Sequence, residues 1–194
     1  PLQAFFICLI AYTTAQMDLA LFGYAVPAIR AEFALSLSEV MTIVSVAFLL
    51  GGTLLVLLGW LADRIGRLPL FQFSLLGSSA LVALISIAPG VLTLTVLRGA
   101  SIAVGGLSYP ITGAILTEET PARMRGLAMG LLQIGYPLGW ALASLWSMWL
   151  LTEYGWRQLS WVGLVSLPMV WVVRRYLREP VSYTHLTLPT THCV

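Results

Sequence analysis

The sequence predicts an all-α membrane protein, a bundle of six transmembrane helices arranged as two inverted three-helix repeats. Three observations lead there. Hydrophobic residues fill 59% of the 194 positions and charged residues only 9%, against about a quarter charged in an ordinary soluble domain. Mean hydropathy is +0.91. The apolar residues also fall into runs near the ~20 needed to cross the hydrocarbon core, with the charges collected between them. So little polar surface cannot face water, so lipid is the expected solvent. Strands do not fit: an open sheet leaves unsatisfied edges in lipid, and barrel strands alternate apolar and polar over about ten residues.

The runs cover residues 4–29, 39–62, 69–88, 91–117, 127–151 and 159–173. Pro27, Pro110, Pro137 and Pro168 lie in four of these six, which transmembrane helices tolerate better than soluble ones. Ser36 and Glu39, three apart, form a capping box that opens span 2. Residues 59–70 read GWLADRIGRLPL. Asp63, Arg64 and Arg67 cannot enter lipid and therefore mark where span 2 stops and span 3 begins, and Gly66 gives the short reversal its backbone freedom. Span 4 carries Arg98, then Gly99, Gly105 and Gly106, small residues that let helices approach closely, then Ser108, Tyr109 and Pro110. Glu118, Glu119, Pro121, Arg123, Arg125 and Gly126 fill the next loop. Span 5 contains Gln133, Tyr136 and a glycine series around Pro137. Trp140, Trp146, Trp149, Trp156 and Trp161 gather near one end of spans 5 and 6, where they read as interface anchors.

Arginine placement sets direction. Arg64, Arg67, Arg123, Arg125, Arg174, Arg175 and Arg178 share one side, and only Arg30 and Arg157 lie on the other. The arginine-rich side is expected to be cytoplasmic, and with it the N-terminus; in a bacterium the membrane is the inner one. A net charge of +2 does not suggest a nucleic-acid partner. Cys8 and Cys193 offer neither a disulfide framework nor metal-ligand spacing. No metal or cofactor is expected. The chain enters its first span without a methionine or a signal-peptide pattern, so it is expected to be a fragment. Residues 1–180 are expected to form one six-helix unit. Residues 181–194 (VSYTHLTLPTTHCV) change character and read as a non-native or disordered tail, with no function assigned to His185, His192 or Cys193.

Asp63 and Arg67 flank a glycine after span 2, and Glu153 and Arg157 do the same after span 5, on the opposite side of the membrane. An inverted pair of three-helix repeats leaves such a trace.

Two ionisable residues fall inside spans, Asp18 near the middle of span 1 and Arg98 about two turns into span 4. Each costs roughly 2.5–3.5 kcal/mol near a helix centre. Their depths differ by about 6 Å at 1.5 Å per residue, within reach of an arginine side chain, so the two are expected to meet. Asp18 then reads as a proton site and Arg98 as its partner or as the anchor of an anionic substrate; a structural ion pair or a snorkelling Arg98 is the alternative. An isolated carboxyl in oil favours its neutral form and a neighbouring guanidinium its charged form. A substrate anion competing for Arg98 would therefore help Asp18 take a proton. Gln16, Tyr109, Gln133 and Tyr136 are candidate cavity residues, or helix–helix hydrogen-bond partners.

The 59–70 segment resembles the G-x-L-A-D-R-x-G-R-[KR]-x-x-[LI] signature of the major facilitator superfamily, with Leu68 at a position usually basic. Arg98 and Gly105-Gly106 resemble that family's fourth-helix motif, with a glycine one place early at Gly99. Residues 118–126 resemble its loop between helices 4 and 5. The resemblance implies that this chain is the N-terminal half of a twelve-helix fold whose C-terminal six helices are missing. It also implies that Gly59, Asp63, Arg64, Gly66, Arg67, Glu118, Arg123 and Arg125 gate the cytoplasmic side as the halves rock. Residues 15–24 are similar to the D-G-x-D region of metabolite and aromatic-acid/sialic-acid proton symporters, with Asp18 at the second acid and Ala15 at the first. Gly155-Trp156-Arg157 and Arg178-Glu179-Pro180 point the same way. The implied function is proton-coupled symport of a small organic anion by alternating access. A drug or metabolite exporter of the same fold and a non-transporting membrane sensor are the rivals. An enzyme is not expected, since no span carries a Ser/His, Cys/His or paired-carboxylate arrangement.

Overall fold

The computed structural model describes residues 2–65 and 67–176, with side chains for all of these but Ala62, Asp63, Ile65 and Arg67. The first three spans are single helices, α1 (Leu2–Glu32), α2 (Leu37–Ile65) and α3 (Arg67–Ile85). Span 4 is two helices, α4 (Val91–Gly106) and α5 (Ser108–Glu119). A 3-10 turn at Ala122–Met124 leads into α6 (Arg125–Leu132) and α7 (Gly135–Glu153), which together make span 5. Span 6 comprises α8 (Gly155–Ser160), a 3-10 segment (Trp161–Ser166) and α9 (Leu167–Tyr176). Spans 1 to 5 are each long and apolar enough to cross a membrane. The sequence predicts one continuous sixth helix over 159–173, and the structure corrects that: 3-10 geometry interrupts it.

All three interruptions have the same cause. Proline has no N–H to donate and its ring crowds the carbonyl four residues back. Pro110 stands four residues after Gly106, where α4 ends; Pro137 stands four after Gln133, which follows the end of α6; Pro168 stands four after Leu164 in the 3-10 segment. The backbone tightens there, with Leu107 N–H donating to Val104 O and Ile134 N–H to Leu131 O. Pro27 lies inside α1 without dividing it.

Packing shows the repeat. Exchanging spans 1, 2 and 3 with 4, 5 and 6 converts the contact of span 1 with span 5 into that of span 4 with span 2. Those are the two most extensive contacts in the bundle. Consecutive spans run in opposite directions, so spans 1 and 4 are antiparallel and the repeat is inverted. Both contacts are set by glycine. A Cβ on Gly139 of α7 would lie 2.6 Å from Thr13 O and 2.8 Å from Met17 N of α1. A Cβ on Gly51 of α2 would lie 2.9 Å from Gly99 O of α4. Without a hydrophobic force between helices in lipid, such close backbone approach is what holds spans together. Spans 1, 3, 4 and 6 form two buried apolar clusters towards opposite ends, one around Cys8, Phe71, Ile115 and Val173, the other around Leu21, Ile85, Leu94 and Leu159.

The expected capping box is present: Ser36 N–H donates to Glu39 Oε2 at 2.8 Å and Glu39 N–H to Ser36 Oγ at 3.3 Å. At the same end a cluster absent from the sequence reading ties three spans together. Glu32, the last residue of α1, accepts from Arg157 Nη2 and Trp156 Nε1, both at 2.6 Å. Arg157 Nη1 donates to Ser86 O at the end of span 3. The turn that aims Trp156 and Arg157 requires Gly155, whose φ is +81°. Gly155→Ala meets open space but places a side chain in the left-handed region at a cost of about 1–2 kcal/mol. A thermal-denaturation series in detergent should show that loss of stability for Gly155→Ala and none for Gly52→Ala, which also meets open space.

Candidate functional site

The site is organised by the two faces of α1. Residues three and four apart stack on one side of a helix, whereas residues two apart point about 200° from each other. Gln16, Leu19, Gly23 and Val26 therefore form one stripe, and Asp18, Leu21, Ala25 and Ile29 form another. The structure gives each stripe a different neighbour.

The Gln16 stripe lines a cavity of about 390 Å³, together with Phe22, Arg98, Tyr136 and Trp140 among others. Its walls come from spans 1, 2, 4 and 5 and are mainly apolar. Arg98 is 6% exposed. Its Nη2 donates to Leu19 O at 2.9 Å, and its guanidinium stacks 4.5 Å from the centre of the Phe22 ring. Its Nη1 has no partner. A carbonyl and a ring face orient a cation without neutralising it, and a desolvated, uncompensated charge is costly. Arg98 therefore keeps an unpaired N–H and an uncompensated charge, of the kind a carboxylate satisfies, at a residue that lines a space large enough for a small molecule.

Asp18 lies elsewhere. It is 1% exposed and faces α3 and span 6. Its Oδ2 accepts from Ser166 Oγ at 3.0 Å and Ser79 Oγ at 3.3 Å, while Oδ1 has no partner. The predicted meeting of Asp18 with Arg98 is thus corrected: comparable depth did not bring them together, because Asp18 leaves α1 away from span 4. Ser79 and Ser166 escaped the sequence reading. The signal available was small, two hydroxyls near the middle of apolar spans.

The other predicted residues divide. Gln16 and Tyr136 join Arg98 at the cavity, and the Tyr136 and Trp140 rings stack 5.8 Å apart. Tyr109 and Gln133 form a separate chain with Tyr12, which donates to Gln133 Oε1, while Gln133 Nε2 donates to Tyr109 Oη, both at 3.2 Å. Eleven residues separate Arg98 from Tyr109, about 16 Å along a helix. At the far end Arg64 stacks 3.8 Å over Trp60, and Arg125 Nε donates to Thr120 O. Glu118 and Arg123 lie in that same region, at the end of α5 and in the 3-10 turn. Gly59 meets open space. Gly66, the side chains of Asp63 and Arg67, and the tail 181–194 lie outside the described residues.

A six-span bundle with an inverted repeat, an apolar cavity and one buried guanidinium restricts the choice of family, and comparison decides it. Residues 8–192 match the model of the Major Facilitator Superfamily. The chain belongs to that family. This facilitator half is 31% identical over 183 residues to a cis,cis-muconate transport protein of Acinetobacter baylyi, covering 93% of this chain and 44% of that one. It is 30% identical over 163 residues to a multidrug resistance protein B homolog of Mycobacterium tuberculosis, covering 84% of this chain and 30% of that one. It superimposes on a D-xylose-proton symporter with a TM-score of 0.76 at 15% identity, covering 95% of this chain and 50% of the other. The chain therefore spans half or less of the length of each of these proteins. The superfamily is one of integral-membrane transport proteins, not enzymes.

Proposed function

We propose that this facilitator half, with a second six-helix half, forms a secondary active transporter that takes up a small organic anion with protons. The observation that carries the reading is Arg98, a buried guanidinium with an unpartnered N–H on the wall of an apolar cavity. A cavity built this way selects an anion with an apolar body, which suits the muconate relative's dicarboxylate better than a neutral sugar. Arg98 anchors the anion, while Gln16 and Tyr136 supply polar contacts and Phe22 and Trp140 flank its hydrocarbon portion. Asp18 takes up the proton. Alternating access follows from rocking of the two halves about this midplane site, with the charged loops at the Arg64 and Arg125 end as its gate. The arginine bias supports a cytoplasmic N-terminus in a bacterial inner membrane.

The test uses the complete transporter in proteoliposomes, with radiolabelled cis,cis-muconate as the first probe. Uptake should accelerate under an inward proton gradient and dissipate it; expulsion driven by that gradient would instead identify an exporter. Asp18→Asn should abolish gradient-driven accumulation, a loss of about 100-fold or more, while counterflow exchange of labelled for unlabelled muconate persists. Accumulation unchanged in Asp18→Asn would refute the coupling role.

A further inference from the structure

The cluster around Asp18 goes beyond a buried carboxyl. Ser79 of α3 and Ser166 of the 3-10 segment approach Asp18 Oδ2 and lie 2.6 Å from each other. Each hydroxyl has one hydrogen and, besides the oxygen of the other serine, two classes of acceptor. One is Oδ2; the other is a carbonyl of its own helix, Leu75 O at 2.7 Å for Ser79 and Gly163 O for Ser166. All three side chains are buried, at the level where the two apolar clusters meet. Ser166 ends the 3-10 segment that precedes Pro168.

We propose that Ser79 and Ser166 are positioning residues through which spans 3 and 6 read the protonation state of Asp18, on the face of α1 opposite the substrate. This rests on the proton-symport reading and deepens it. With Asp18 ionised, the two hydroxyls turn their hydrogens towards Oδ2, one directly and the other through its partner's oxygen, and bind α1 to spans 3 and 6. When one proton arrives from water, it binds at Oδ1 and the carboxylate becomes a neutral acid. The hydroxyls then turn back to Leu75 O and Gly163 O, and α1 is released from both neighbours. Anion and proton communicate through α1 itself, because Arg98 holds the carbonyl of Leu19, the residue after Asp18.

Among the described residues, no other ionisable group faces Asp18. Span 3 between 69 and 85 and the 3-10 segment contain no charged residue. Arg98 of α4 is turned to the other stripe, Tyr109 of α5 pairs with Gln133, and Tyr136 of α7 lines the cavity. Arg157 of α8 is held by Glu32, and Arg174 and Arg175 lie at the far end of α9.

The experiment follows the carboxylic-acid C=O stretch of Asp18 by infrared difference spectroscopy across pH, in the complete transporter. The band is assigned as the one missing in Asp18→Asn. Removing a donor from the ionised form disfavours that form. Ser79→Ala and Ser166→Ala should therefore each move the band's midpoint to higher pH by about one unit, with the pH profile of muconate uptake moving alongside. The KM measured at the acid plateau should stay within about twofold, since the serines do not touch substrate. Ser166→Thr keeps the hydroxyl and should restore the original midpoint. Midpoints unchanged in both alanine variants, or a raised KM with the midpoint unmoved, would overturn the proposal. A wild type whose uptake ignores the proton gradient would instead defeat the symport reading.

Discussion

Replacing Arg98 with glutamine is expected to weaken anion binding by about 100-fold without destabilising the protein. The two halves of that expectation have separate causes. Truncating a buried charge that pairs with a ligand costs about 2–5 kcal/mol of binding, and 2.7 kcal/mol corresponds to a hundredfold. The folded protein gains nothing comparable from the charge, because Arg98 meets only the Leu19 carbonyl and the Phe22 ring. A charge at that depth costs roughly 2.5–3.5 kcal/mol to insert. Glutamine keeps a donor for Leu19 and removes that penalty. Equilibrium binding of labelled cis,cis-muconate and a thermal melt of the same sample read both quantities. A structural arginine would give the reverse pattern, with lowered melting temperature and unchanged affinity for the protein that remains folded.

Gly139→Val should do the opposite and abolish the fold of the span 1–span 5 contact. Its Cβ would stand 2.6 Å from Thr13 O, 2.7 Å from Gln16 Cβ and 2.8 Å from Met17 N. Two of those atoms are backbone and cannot rotate aside, so α7 must move away from α1 along its length. Overpacking a tight contact costs about 1–3 kcal/mol and more where backbone must shift, and this contact is one of the two that define the bundle. Gly139→Val should therefore lose the monodisperse peak in size-exclusion chromatography, and Gly51→Val should behave likewise at the related contact. Gly130→Ala, where a Cβ meets nothing within 4 Å, should elute unchanged. Normal behaviour of both valine variants would show that these glycines do not set the packing.

Much of this is legible in the sequence. The spans were readable because lipid forces every backbone group into internal hydrogen bonds, so apolar runs of sufficient length become helices. The capping box was readable because it is a local exchange between Ser36 and Glu39. The breaks are half readable: the prolines are visible in the sequence, four residues after each irregular site, but whether a span divides there or continues, as α1 does through Pro27, is not. The site was readable only by residue type. Asp18 and Arg98 stood out as ions in oil, but depth along a helix says nothing about azimuth. The periodicity of α1 already placed Gln16 and Asp18 on opposite faces, which made a shared pocket for both difficult.

The sequence by itself determined that this chain is a membrane-embedded six-span bundle of the facilitator type, with charges confined to its loops and two ions inside it. Length, hydropathy and short motifs carry that information because each acts over a few neighbouring residues. Only the tertiary structure decided that Arg98 opens onto the cavity while Asp18 is held by Ser79 and Ser166 behind the same helix. It also joined Glu32 to Arg157, 125 residues away in the chain. These are contacts between distant segments, fixed by how closely glycines let the helices approach and by the angle at which each side chain leaves its axis, and no local pattern encodes either.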